Sequence, residues 1–314
     1  MGQIPANRPM TAGEWASLVL LASVWGGSFF FNAVAVRDLP VLSIVTARVI
    51  LAAVLLGAML RLAGERLPRE RRVWGALLAM GMLNNALPFA LIVWGQTRIP
   101  SGVASVINAA TPLFGVLLAH ILTADERMTA NRLAGVVIGF AGVAVMMGSA
   151  VRGGDAVLGE LACLAAAFCY ACAGIFGRRF RAMGVAPMAT ATGQLAAASA
   201  VLLPLALAID RPWTLPAPGL PALGALVGLA TVSTAFAYVI FFRLLASAGA
   251  TNLMLVTLLV PVGAVLLGVL FLGETLLARQ VWGMGLIALG LAAIDGRPLA
   301  ALRRLTGLIR PGGA

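Results

Sequence analysis

Arg48 is the one charged residue that lies well inside an apolar stretch of this chain. A charge at that depth of a bilayer costs about 2.5–3.5 kcal/mol on insertion scales, so it faces a wet cavity, pairs with polar groups or reaches toward an interface. One reading is an anchor for a ligand carboxylate. The other is an arginine that snorkels outward or ties helix ends together, since the outer end of its span is only about eight residues away. The remaining polar side chains of the apolar stretches are amides and hydroxyls: Ser28, Asn32, Asn84, Asn85, Asn108, Gln194 and Asn252. Such groups hydrogen-bond a zwitterion or sugar hydroxyls, and they equally bond a neighbouring helix, typically for less than about 2 kcal/mol. Taken singly, each is accounted for by helix packing; gathered on one cavity, they make a binding site. Trp25, Trp94, Tyr170 and Tyr238 lie in the same stretches, where they either stack on a substrate or fill the interior.

Signs of reaction chemistry are missing. The chain has no HExxH, no phosphate loop, no GxSxG and no clustered metal ligands. Cys163, Cys169 and Cys172 share one apolar segment, and a lone Cys-Tyr-Ala-Cys pair without a second ligand pair reads as packing rather than a zinc site. The single histidine, His120, falls near the end of a span and has no shared catalytic signature with any serine. Neither catalysis nor a cofactor nor a bound metal is therefore expected, and an intramembrane enzyme is the remote alternative. Glu14, Asp38, Glu160 and Asp295 fall at span edges, where water titrates them, so no membrane carboxylate is expected to couple protons to a cargo.

The elements that must hold these residues follow from composition. The 314 residues are 61% hydrophobic and 11% charged, too apolar for a soluble domain. A span needs about 20 mostly apolar residues. Ten are expected, near 14–36, 40–62, 73–96, 99–122, 130–150, 157–178, 185–209, 219–243, 250–272 and 276–295. A net charge of +11 in a soluble chain would suggest nucleic acid, but here the basic residues sit in short loops between spans. Alternate loops and both termini hold sixteen arginines, and the loops between them hold five (Arg37, Arg98, Arg152, Arg211 and Arg279). That bias places both termini in the cytoplasm. Membrane lipids and a small-molecule substrate are the partners implied, and nucleic acid is not.

The second half of the chain repeats the first. Residues 104–147 resemble 252–294: Pro112 matches Pro261, Glu126 matches Glu274, Gly135 matches Gly283 and Gly142 matches Gly290. Five spans per half is an odd number, so the second half enters the membrane from the opposite side. The fold class expected is an all-α polytopic membrane protein of ten transmembrane helices, built as two inverted-topology five-helix repeats. Pro112 and Pro261, being repeat equivalents near mid-span, read as kinks or gates at a central cavity, or else as tolerated packing kinks.

With these features the chain resembles the EamA type of the drug/metabolite transporter superfamily. The resemblance rests on Trp25-Gly26-Gly27-Ser28-Phe29, on Arg48, and on the run from Pro112 through Glu126 to Gly135 with its echo Pro261, Gly273-Glu274 and Gly283. Ala124-Asp125-Glu126 departs from the family pattern, which has Gly before the Glu. The resemblance implies a first repeat over 1–150, a second over 151–296 and a basic cytoplasmic tail over 297–314. It also implies an inner-membrane carrier of small metabolites working by alternating access. Apolar or aromatic amino acids are the first cargo class, moved by an exporter or facilitator. A drug, nucleotide-sugar or other metabolite carrier is the alternative.

Overall fold

The structure, a computed structural model, describes residues 10–123, 128–147 and 154–295. Arg8, Asp125, Glu126, Arg127, Arg152 and the tail 297–314 lie outside the described residues. Within them the chain forms α1 (Ala12–Ala35), α2 (Val41–Leu62), α3 (Arg71–Gln96), α4 (Ser101–Leu122), α5 (Ala130–Met147), α6 (Asp155–Ala182), α7 (Pro187–Ile209), α8 (Leu220–Gly249), α9 (Val256–Leu272) and α10 (Ala278–Asp295). The first eight are long and apolar enough to cross a membrane, and α9 and α10 are shorter apolar helices. Large apolar side chains such as Val54, Phe271 and Trp282 point outward, as they must when acyl chains are the solvent.

One boundary differs from expectation. The eighth span runs to Gly249 rather than 243; past that kink residues 250–253 are helical again, where the ninth span is expected to begin, and a turn at 254–255 leads into α9. Gly249 has φ 81°, a left-handed value that a residue without a Cβ adopts at little cost, and it lets the chain turn there.

Helix packing follows a pseudo-two-fold axis. Helix α1 packs on α8 and α9, as α6 packs on α3 and α4; α2 packs on α7, and α5 on α10. At the α5–α10 contact, a Cβ on Gly135 would lie 2.6 Å from the carbonyl oxygen of Gly290, and one on Gly142 would lie 2.8 Å from that of Gly283. Gly135 touches the counterpart of Gly142, and Gly142 touches the counterpart of Gly135. Such reciprocal pairing is what a two-fold relation between the halves requires. Two sequence motifs find their purpose in the same way. Gly26 brings α1 against the α9 backbone, where a Cβ would lie 2.8 Å from the Val260 carbonyl oxygen. After Gly273 ends α9 with φ 67°, the Glu274 carboxylate accepts from the Ser101 and Gly102 backbone N–H groups at 2.6 and 3.0 Å. A residue of the second repeat thereby caps α4 of the first, the polarity that a helix N-terminus favours.

Three of the helices are interrupted near their middles, and two of those interruptions pair between halves. The third helix of each half carries a π-helical turn, Met82–Ala86 in α3 and Thr231–Phe236 in α8. Helix α4 breaks between Asn108 and Thr111, and Pro112 is the second residue of its restart. Pro261 instead lies inside α9.

Candidate functional site

Turns of π-helix leave an extra residue per turn and release backbone groups, which is why they gather at sites that bind or move. Here each one presents polar residues inward. Asn84 and Asn85 belong to the first turn, Ser233 and Thr234 to the second, and seven positions past the start of each turn stands an aromatic ring, Phe89 or Tyr238. The second helices supply a matched pair too: Arg48 stands as far from Val41 as Gln194 does from Pro187.

These residues meet across the two halves. The Tyr238 hydroxyl oxygen accepts from Gln194 Nε2 at 3.0 Å, Asn84 Nδ2 at 3.1 Å and Asn85 Nδ2 at 3.4 Å. Asn84 Nδ2 also approaches Gln194 Oε1 at 3.4 Å. Arg48 Nε donates to Thr234 Oγ1 at 2.9 Å, and Thr234 donates in turn to the Leu229 carbonyl at 2.7 Å. The Arg48 guanidinium lies 3.7 Å from the centre of the Phe89 ring. Gln194 thus touches the aromatic ring of its own half and the π turn of the other, and Arg48 does the same in mirror.

The electrostatics of the group are lopsided. Arg48 is only 5% exposed, and among the described residues no carboxylate pairs with it. Three amide donors converge on one phenol oxygen, which has two lone pairs, so donors exceed acceptors. On the other side of the ledger, Asn85 Oδ1 is buried with no donor. A buried cation and surplus N–H groups beside an orphaned acceptor suit a ligand that carries both an anion and a cation.

The other expected residues are placed more variously. Trp25 contacts Phe241 at 5.7 Å, and Phe241, Phe242 and Tyr238 continue the chain of rings inward. Tyr170 packs against both of the larger interior clusters. Asn32 Nδ2 donates to Gln96 Oε1 at 3.1 Å, and Gln96 donates to the Phe29 carbonyl, a clasp between α1 and α3 apart from the group. Ser28 is buried on α1 one turn before Asn32. Trp94 stacks with Arg98 at the end of α3. Asn108 closes the first half of α4 with its Oδ1 unpartnered, and Asn252 donates to the Ala248 carbonyl beside the Gly249 turn. Thr234, Phe89 and Gln96 escaped the sequence reading; pairing α2 with α7 and α3 with α8 at constant spacing would have found the first two.

One expectation needs correcting. The sequence leads one to expect Glu14 and Glu160 at edges open to water, but the fold leaves them only 8% and 4% exposed. For Glu160 the cause is a tertiary contact: a Cβ on Gly159 would meet the Gly95 carbonyl oxygen at 2.9 Å, so α6 lies hard against α3 at that level and covers the neighbouring carboxylate.

Tyr238→Phe is expected to lower the thermal unfolding midpoint of the detergent-solubilised protein, because it removes the acceptor on which three amide donors converge, at a cost on the order of 1–3 kcal/mol. Tyr170→Phe, whose hydroxyl makes no hydrogen bond among the described residues, is expected to leave the midpoint nearly unchanged. Equal midpoints for the two variants would show that the Tyr238 oxygen does not organise the site.

Comparison with known proteins agrees with this architecture. Residues 13–148 and 157–294 each match the EamA-like transporter family. The inner membrane transporter YedA of Escherichia coli, itself described as uncharacterized, is 29% identical over 91% of this chain and 94% of its own length. A probable terminal-alkyne amino-acid exporter of Streptantibioticus cattleyicolor is 30% identical over 44% of this chain and 45% of its own. A crystal structure 20% identical in sequence shares the fold with a TM-score of 0.62, over 91% of this chain and 96% of the other. Two matched halves covering nearly all of the helices make this chain a member of the EamA-like transporter family.

Proposed function

We propose that this transporter moves small zwitterionic metabolites, amino acids first, by alternating access around the Arg48–Tyr238 group. The observation that carries the proposal is the buried Arg48 guanidinium, which has no carboxylate partner among the described residues. A substrate carboxylate supplies the missing charge, and Asn85 Oδ1 offers an acceptor to the substrate ammonium. The rings of Trp25, Phe241 and Phe242 next to the polar group favour apolar or aromatic side chains. The printed description of the Streptantibioticus relative, an amino-acid exporter, supports the same class over part of the chain.

The arginine bias of the loops supports a topology with both termini on the cytoplasmic side of the inner membrane. The test is purified protein in proteoliposomes, oriented by reporters at Met1 and Ala314. Radiolabelled aromatic and apolar amino acids should exchange across the bilayer unchanged, and the corresponding amino alcohols, which lack the carboxylate, should compete poorly. Equal competition by the amino alcohols would remove the carboxylate from the proposal. Product formation in place of flux would point to an enzyme, and flux of sugars or drugs alone to the other carrier class.

A further inference from the structure

The α2–α7 pair sits on the pseudo-two-fold axis, so its two ends should look alike, and they do not. At one end Asp210, just past α7, accepts from the Ser43 backbone N–H and hydroxyl at 2.6 and 2.8 Å and closes the groove between the helices. At the other end the equivalent positions are Gly64, as far from Val41 as Asp210 is from Pro187, and Ala189, as far from Pro187 as Ser43 is from Val41. Neither has a side chain able to make that bond. The groove stays open there as a cleft of about 830 Å³ between α2, the start of α7 and the loop that follows α2.

The walls of the cleft divide by chemistry. Toward the membrane they are apolar or small: Val54, which is 64% exposed, with Gly57 and Ala58, and Thr192 across from them on α7. At the membrane edge stand Arg61, Arg66 and Arg69 with one acid, Glu65. None of these three guanidiniums bonds a protein acceptor among the described residues. From this we infer that the cleft is a binding site for an anionic phospholipid, with an acyl chain along Val54 and Gly57 and the phosphate among the three arginines. Charge selects the occupant: clustered arginines at the end of a transmembrane helix attract anionic headgroups at about 1 kcal/mol each near the surface. A lateral apolar wall excludes a soluble phosphate as the better partner, since free phosphate gains nothing from Val54. The inference does not depend on what the carrier transports. Lipid held here would bridge the second helices of the two halves, which pack against each other.

The test uses full-length protein in nanodiscs of equal phosphatidylglycerol and phosphatidylcholine, released into mild detergent, with retained lipids counted by native mass spectrometry. Phosphatidylglycerol should be retained preferentially. The triple variant R61Q/R66Q/R69Q should lose that retention by about tenfold or more, and R132Q/R181Q/R243Q, which removes the same charge elsewhere, should keep it. Gly57→Leu leaves every charge in place but fills the floor of the cleft. A Cβ there meets only Thr192 Cγ2, at an ordinary 3.8 Å, so this variant should fold, and it should lose the lipid as well. Millimolar glycerol phosphate or inorganic phosphate should not displace the lipid. Equal retention of the two lipids, equal loss in the control triple, full retention in Gly57→Leu, or displacement by soluble phosphate would each overturn the assignment.

Discussion

Arg48→Gln is expected to abolish transport of carboxylate-bearing substrates and to leave the folded protein as stable as before, or more so. The two effects have opposite signs for one reason. In the structure the guanidinium is buried, holds a single hydrogen bond to Thr234, rests on the Phe89 ring and has no carboxylate partner. Desolvating a cation costs several kcal/mol, of which one hydrogen bond and a ring face return about 2–3 kcal/mol. Glutamine removes that deficit, and Thr234 keeps its bond to the Leu229 carbonyl. With substrate bound the balance reverses. Truncating one member of a buried, hydrogen-bonded charge pair costs about 2–5 kcal/mol, a loss on the order of 30- to several-thousand-fold in affinity. Arg48→Lys should recover part of the binding, since it keeps the charge but gives up the planar stack and the fork of donors. The measurement pairs substrate affinity by calorimetry with the thermal midpoint of each variant. An arginine that merely ties helices together would act otherwise: Arg48→Gln would lower the midpoint, and the binding of carboxylate-free analogues would fall along with that of amino acids.

How much of this was legible in the sequence depends on the range over which each feature is encoded. Spans are local, and hydropathy located all ten to within a few residues except at Gly249. There the residue type permits a left-handed turn but does not demand one. The inverted repeat was legible because Gly135, Gly142, Gly283 and Gly290 must be small for the backbones to touch, and that requirement leaves an imprint in both halves. The site was legible only as a collection. Arg48, Asn84, Asn85, Gln194 and Tyr238 stand out because polarity in an apolar span is costly, yet nothing along the chain says that they converge while Asn32 and Trp94 go elsewhere. Their convergence depends on the π turns, which shift the register by one residue and leave no mark in a periodicity of apolar residues. Thr234 and Phe89 were passed over because threonine and phenylalanine are ordinary inside a membrane helix. Glu160 was misjudged because its burial comes from Gly95, far away in sequence and in contact only in the fold.

Gly290→Ala is expected to be among the most damaging single methyl additions in the molecule. A Cβ at Gly290 would stand 2.5 Å from the Gly135 carbonyl oxygen and 2.6 Å from the Gly139 nitrogen, well inside van der Waals contact. Both neighbours are backbone, so no rotamer change relieves the overlap, and α5 and α10 must move apart. Overpacking of this kind costs about 1–3 kcal/mol and sometimes more. Separation by 0.5–1 Å also forfeits about a quarter to a half of the dispersion energy of each contact along the interface. Gly142→Ala meets the same obstacle at Ile287 N, 2.7 Å, and Gly283 O, 2.8 Å. The double variant should therefore cost less than the two single costs together, because helices already parted by one methyl have room for the other. Gly224→Ala is the contrast: it belongs to a Gly-x-x-x-Gly spacing like that of Gly135 and Gly139, but its Cβ would meet nothing within 4 Å. Alanine there should be neutral or gain up to about 1 kcal/mol from helix propensity. Thermal midpoints of the four variants in detergent are the measurement. Because α5 and α10 contribute no side chain to the Arg48–Tyr238 group, Gly290→Ala protein that remains folded should bind substrate with unchanged affinity. A Gly290→Ala midpoint equal to that of Gly224→Ala, or a sum of costs in the double variant, would mean that the two halves are not held by this contact.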